Sequence, residues 1–258
     1  MGVTLTIDGV TLETAWWGRG LPGPTLVLLH EGLGCVALWR DFPEKLHQAT
    51  NRPVFAYSRQ GYGQSDPAPL PRPLTYMHDE AARLSRILDA AVIGPAILIG
   101  HSDGASIAGV AAGSHYDARI RALVLIAPHF FTEPMGLAAI AAARTDYETL
   151  RPRLAKYHRD PDNAFRGWND AWLDPAFRAW RIDEYLPYIR LPILLIQGES
   201  DPYGTQAQIQ IVQDLAYGPV ETLLLPDVKH APHLEAQQAT IDAIAGVAHR
   251  LAIHEHAL

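Results

Sequence analysis

Cysteine is nearly absent from this chain. Cys35 is the only one among 258 residues, which excludes an internal disulfide and fits a reducing compartment. Basic residues are also in deficit, 21 Lys and Arg against 28 Asp and Glu, for a net charge of −7. That balance argues against nucleic acid or an anionic membrane surface as partner, because both reward clustered positive charge. No apolar run reaches the roughly 18 residues that a membrane-spanning helix needs. The opening segment alternates like a strand and has no basic stretch followed by an apolar one, so no secretory signal is expected. Gly2 and Thr6 have the spacing of a myristoylation pattern, but a strand start is the better reading. Nucleotide-binding glycine patterns are missing, so no cofactor is expected. Metal-ligand spacing is confined to His254, Glu255 and His256, too weak a signal for a metal site. These absences lead to the expectation of a cytoplasmic protein, monomer or homodimer, acting on a small molecule.

What the chain does have is a hydrophobic content of 48% with 19% charged residues, ordinary for one large buried core. Two alternating segments, 3–7 and 12–17, flank the turn signal Asp8-Gly9 and read as an antiparallel pair. Apolar runs of strand length follow at 25–30, 54–57, 96–99, 122–126, 193–197 and 222–225. Helix-like segments at 38–49, 76–91, 103–112, 205–217 and 235–252 separate them. Eight strands of this kind imply an α/β fold, a mostly parallel, doubly wound sheet covered on both faces. Its loops at the carboxyl ends of the strands share the edge where such sheets bind ligands.

After the sixth strand the alternation stops. Residues 133–190 read as helices at 137–144, 147–158, 163–172 and 175–185, too long a segment for a loop. The expected organisation is a core of residues 1–132 and 191–258 with a helical cap over 133–190. Trp168, Trp172 and Trp180 lie in that cap, half of the chain's six tryptophans, with Tyr157, Phe165, Phe177 and Tyr185. Some of these aromatics glue the cap to the sheet and others roof a mostly apolar pocket.

Gly100-His101-Ser102-Asp103-Gly104 follows one strand and opens a helix rich in small residues. G-x-S-x-G in this setting is a sharp strand-to-helix turn that lifts a serine hydroxyl above the sheet. The next N–H, that of Asp103, then points where negative charge develops on an attacked carbonyl oxygen. A serine nucleophile needs a base, and the base an orienting acid. Two later strand ends offer both: Glu199 and Asp201 after 193–197, and Asp227, His230 and His233 after 222–225. Glu133, beyond the sixth strand, is a further alternative acid.

The chain resembles the α/β-hydrolases of the esterase, lipase and meta-cleavage hydrolase type. The likeness runs from Leu26 to Leu251 and rests on residues 28–34, 57–66, 100–104, 197–201 and 229–235, with the cap its least specific part. It implies Ser102 as nucleophile, Asp201 as acid and His230 as base, with His233 a loop residue. It also implies an oxyanion hole from the N–H groups of Asp103 and Gly32, with Leu33 the next candidate. The family's His-Gly pair is broken here, because Glu31 follows His30. Glu31 is either a salt-bridged structural residue or a pocket-facing group that disfavours anionic substrates. Leu33, His129, Trp168 and Trp172 complete the candidate substrate-binding set. Arg59 is read as a tie between loops and His30 as a structural residue.

The implied activity is hydrolysis of a small to medium carboxylic ester or related acyl compound. Carbon–carbon bond hydrolysis of a ring-cleavage product, lactone or thioester hydrolysis and a perhydrolase side activity are alternatives. A silent small-molecule receptor is the alternative from outside the enzymes. Serine at position 102 disfavours the aspartate-nucleophile epoxide hydrolases and dehalogenases.

Overall fold

The computed structural model describes residues 3–256, with side chains described for 4–251. Gly2 and the side chains of His254, Glu255 and His256 therefore lie outside the described residues. The pair β1 (Val3–Ile7) and β2 (Val10–Trp17) turns at Asp8 and Gly9, both at positive φ. Six further strands are β3 (Thr25–Leu29), β4 (Val54–Tyr57), β5 (Ala96–His101), β6 (Ile120–Ile126), β7 (Ile193–Gly198) and β8 (Val220–Leu225). Together they form one eight-stranded sheet in the order β1-β2-β4-β3-β5-β6-β7-β8. It is antiparallel from β1 to β4 and parallel from β4 to β8.

Burial on both faces explains why the central strands read as unbroken apolar runs. Val27 and Leu29 pack on one face and Leu26 and Leu28 on the other. The first face is covered by α2 (Tyr76–Ala90) and α3 (Asp103–Ser114), through Leu84, Ile87 and Ile107. The second is covered by α1 (Phe42–Thr50) and the last helix, through Phe42, Leu46, Ile241 and Ile244. From β3 the chain steps to β4 on one side and then to β5 on the other. That reversal is the switch point where open α/β sheets leave a crevice at their carboxyl edge.

The segment after β6 holds α4 (Pro134–Thr145), α5 (Tyr147–Leu154) and α6 (Pro161–Trp172). The helix expected over 175–185 is instead two 3-10 pieces, Pro175–Ala179 and Asp183–Tyr188. Between them Arg181 bridges Phe131 and the Ile182 N–H donates to the Phe130 carbonyl, pulling the chain out of helical pairing. The second piece packs against α3 so closely that a Cβ at Gly113 would overlap the Tyr185 carbonyl.

Four other expected helices have different bounds. Arg40 at φ 54 separates a short 3-10 turn, Val36–Trp39, from α1, which starts afresh with Pro43 in its first turn. Pro152 lies inside α5, which ends at Leu154, short of His158. Helix α7 is Ala207–Leu215, and the final helix splits at Ala236 into α8 (Pro232–Glu235) and α9 (Gln237–His256). No helix among the described residues is long and apolar enough to cross a membrane.

Candidate active site

Ser102 stands between β5 and α3 with φ 53 and ψ −119, a conformation that costs an L-residue of order 1–3 kcal/mol. The surroundings impose it: the Ser102 N–H donates to the Ile126 carbonyl at 2.9 Å, and α3 begins at the next residue. Gly104 lets the helix press on the sheet, since a Cβ there would overlap the Leu29 carbonyl. As the first residue of α3, Asp103 has an N–H without an intrahelical acceptor.

The loops after β7 and β8 bring the other two predicted residues together. His230 Nδ1 lies 2.8 Å from Asp201 Oδ2. The Asp201 carboxylate also accepts from Gln197 Nε2 at 2.8 Å and from the Tyr203 N–H at 2.8 Å. Burial pushes its pKa up, but His230 and the Tyr203 N–H outweigh this and hold it below the ordinary carboxylate value. With Nδ1–H committed to Asp201, the Nε2 lone pair of His230 is left for the cavity. Glu235 grips the chain on both sides of His230, accepting from the Lys229 and Ala231 N–H groups at 3.0 Å each. The Tyr203 ring lies 4.6 Å from the His230 ring.

The rival carboxylates are engaged otherwise, although Glu133 lines the same cavity as Ser102. Glu199 and Asp227 are exposed, and Glu133 accepts from Thr205 N, Thr205 Oγ1 and Gln208 Nε2. His233 is buried among Trp39, Phe42 and His101, with ring centroids 4.9, 5.5 and 4.6 Å away.

A cavity of about 110 Å³ opens over Ser102. Ser102, His230, Asp103, Gly32, Glu31, Leu33, His129, Trp168 and Trp172 all line it, so every predicted site residue except Asp201 reaches the same space. Asp201 stands behind His230. Among the described residues, the Gly32 and Leu33 N–H groups have no acceptor. Their loop is pinned from behind: Arg59 donates to the His30 carbonyl and, at 2.8 Å, to the Glu31 carbonyl. His30 accepts from the Arg59 N–H at Nε2, 3.0 Å, and so donates from Nδ1 to the Glu31 carbonyl at 2.7 Å. Glycine is required at 32, because a Cβ would overlap the Trp168 indole lying across it.

Glu31 stands between His101 and the cavity. Its carboxylate lies 3.5 Å from His101 Nδ1 and also lines the cavity. Burial pushes its pKa up, but His101 chiefly, with His30 and His233, holds it far below the ordinary value. His101 in turn lies with Nε2 2.7 Å from the His230 carbonyl, tying the Ser102 turn to the His230 loop.

Several contributors went unremarked in the sequence. His158, between α5 and α6, accepts from the Gly63 N–H and donates from Nε2 to the Leu33 carbonyl at 3.0 Å. It thereby fastens the segment after β6 to the loop carrying Gly32. The Asp103 side chain, buried behind its own N–H, accepts from Tyr76 Oη at 2.6 Å and from Trp172 Nε1 at 3.3 Å. Burial raises the Asp103 pKa, with Arg59 and these donors opposing it. Nothing local in the chain pairs Tyr76 with Asp103 or His158 with Leu33, so no sequence signal pointed to them.

The model of the alpha/beta hydrolase family matches residues 26–243, most of the chain. The chain belongs to the alpha/beta hydrolase family. Solved structures agree on the fold. A proline iminopeptidase from Mycobacterium smegmatis aligns at TM-score 0.77 with 17% identity, over 97% of this chain and 98% of its own. The enol-lactonase of Burkholderia xenovorans LB400 aligns at 0.72 with 20% identity, over 95% and 98%. A putative aryl esterase from Burkholderia cenocepacia aligns at 0.74 with 19% identity, over 98% and 100%. No curated protein matches the chain in sequence. Such distant relatives share an architecture, and architecture alone does not choose a substrate.

Proposed function

We propose that this family member is a serine hydrolase that cleaves a small to medium carboxylic ester, or a related acyl compound, through an acyl-enzyme on Ser102. The observation that carries the reading is the strained Ser102 turn sharing one cavity with His230, whose Nδ1 is held by Asp201. His230 Nε2 takes the hydroxyl proton as Ser102 Oγ attacks the carbonyl carbon, and Asp201 stabilises the resulting imidazolium. Negative charge on the carbonyl oxygen is met by the Asp103 and Gly32 N–H groups, an effect worth about 3 kcal/mol per donor. The imidazolium returns its proton to the leaving alcohol. Water then attacks the acyl-enzyme, giving its proton to His230, and the acid departs as Ser102 regains its hydrogen.

Lactone hydrolysis is the same chemistry on a cyclic ester, and the enol-lactonase relative makes a lactone series a natural companion to open esters. The test pairs turnover with covalent labelling. Wild type is expected to hydrolyse p-nitrophenyl esters of short acids and to react with a fluorophosphonate probe. Ser102→Ala is expected to lose both, and His230→Ala to lose turnover. Wild-type protein inert to every ester, lactone and probe would point to a silent receptor instead, and full turnover by Ser102→Ala would refute the nucleophile.

A further inference from the structure

The charge around the cavity is lopsided. Among its described lining residues are Glu31, Asp103 and Glu133, but no lysine or arginine. The Asp103 carboxylate is turned into the wall, onto Tyr76 and Trp172, with Arg59 buried nearby. Arg59 itself spends guanidinium donors on the His30 and Glu31 carbonyls. Glu133 accepts from three neutral donors, Thr205 N, Thr205 Oγ1 and Gln208 Nε2, at 2.7–2.9 Å. Its hydrogen bonds are satisfied, and among the described residues no cation is paired with it. Glu31 has one partner, His101, which faces it with Nδ1 at 3.5 Å from outside the cavity lining while its Nε2 is committed to the His230 carbonyl.

Two histidines line the cavity, and His230 is committed through Nδ1 to Asp201, which leaves His129. Its side chain lines the cavity, the residue is 5% exposed, and no hydrogen bond among the described residues engages its ring nitrogens. Burial, with the nearby His230, pushes its pKa down to about 3, so it faces the substrate as a neutral imidazole. It offers a hydrogen bond and no counter-charge. A carboxylate entering this space would give up its hydration, meet like charge within a low-dielectric wall and find no lysine or arginine among the described lining residues. The Asp103 and Gly32 N–H groups are taken by the reacting carbonyl, and the Leu33 N–H offers a hydrogen bond without a counter-charge.

We propose that Glu31 and Glu133 make the cavity select by charge, admitting acyl compounds whose other groups are neutral or cationic and rejecting those that carry a carboxylate. The proposal rests on the serine-hydrolase reading and narrows its substrate class. It places any ring-cleavage product bearing a carboxylate among the rejected compounds, and neutral esters and lactones or amine-bearing esters among the accepted ones. His129 is the group that hydrogen-bonds a neutral polar substituent.

The test uses three aryl acetates of similar shape: 4-acetoxybenzamide, (4-acetoxyphenyl)trimethylammonium and 4-acetoxybenzoate. Each kcat/KM is divided by the rate of hydroxide hydrolysis to remove leaving-group effects. The neutral and cationic esters are expected to exceed the anionic one by about tenfold or more, and Glu31→Gln and Glu133→Gln each to narrow the gap about threefold. Equal turnover of 4-acetoxybenzoate would overturn the proposal while leaving the hydrolase reading intact. A gap that survives both substitutions would overturn the assignment to these two residues. Calorimetric titration with benzamide, benzamidine and benzoate reads the same preference without turnover. Weaker binding of benzoate in a protein that cleaves no ester would sustain the charge selection and sink the hydrolase reading. Benzoate bound as tightly as benzamide, or no binding of any of the three, would overturn it.

Discussion

Replacing Tyr76 by phenylalanine removes a single oxygen from the wall behind the candidate oxyanion hole. That oxygen donates to Asp103 Oδ2 at 2.6 Å and accepts from Trp172 Nε1 at 3.0 Å. The first bond serves a buried carboxylate and is worth about 1.5–3 kcal/mol, the second about 1 kcal/mol. Trp172 keeps its 3.3 Å contact with Asp103 Oδ1, so part of the second term is recovered. The expected loss of stability is about 2–3 kcal/mol, a fall in Tm of roughly 4–12 °C for a chain of this size. The pH dependence carries the sharper signature. The folded-state pKa of Asp103 is raised, so ionised Asp103 lowers stability above its unfolded pKa of about 3.9. Losing the Tyr76 donor raises that pKa further and enlarges the penalty, which vanishes once the carboxyl is protonated. Urea unfolding followed by tryptophan fluorescence should therefore show the larger difference between variant and wild type at alkaline pH, and a smaller one as pH falls through the folded-state pKa of Asp103. A loss below about 0.5 kcal/mol, or one that grows on acidification, would refute the account of Asp103 as an ionised group held by Tyr76.

Asp201→Asn should cut kcat for a p-nitrophenyl ester by about 10³–10⁴-fold, because an amide does not select the His230 tautomer with Nδ1–H; loss under about tenfold would contradict that role. The Asp201 pKa is depressed on folding, so its ionised form stabilises the protein above its unfolded pKa, and that stabilisation is lost as pH falls through the folded pKa. Ser102→Gly should abolish turnover yet raise the unfolding midpoint, since relief of the φ 53 strain, of order 1–3 kcal/mol, exceeds the entropic cost of glycine, about 0.5–1 kcal/mol. An unchanged or lower midpoint would show that the turn is not strained. Gly32→Ala should displace the Trp168 indole, costing about 1–3 kcal/mol and most of the activity. Unaltered near-ultraviolet dichroism with full activity would argue against the close packing described.

The order of strands and helices was legible in the chain because a strand buried on both faces must be apolar throughout. The runs at Leu26–Leu29, Ile97–Ile99 and Leu123–Ile126 leave no other reading once glycines and helices separate them. Ser102 was legible for a local reason as well: the turn needs glycine at positions 100 and 104, and both are neighbours in sequence. Helix ends were less legible, since no residue type signals the positive φ at Arg40 or the bridge from Phe131 to Arg181. The partners of the site residues depended on tertiary structure altogether. Tyr76 meets Asp103 across 27 residues, His158 meets Leu33 across 125 and His101 meets the His230 carbonyl across 129. A hydrogen bond is directional over about 3 Å, and composition or spacing places no atom that finely. So the sequence by itself determined the sheet, the Ser102 turn and the candidates for acid and base. Folding decided which carboxylate faces His230, which way Glu31 turns and that no lysine or arginine lines the cavity among the described residues.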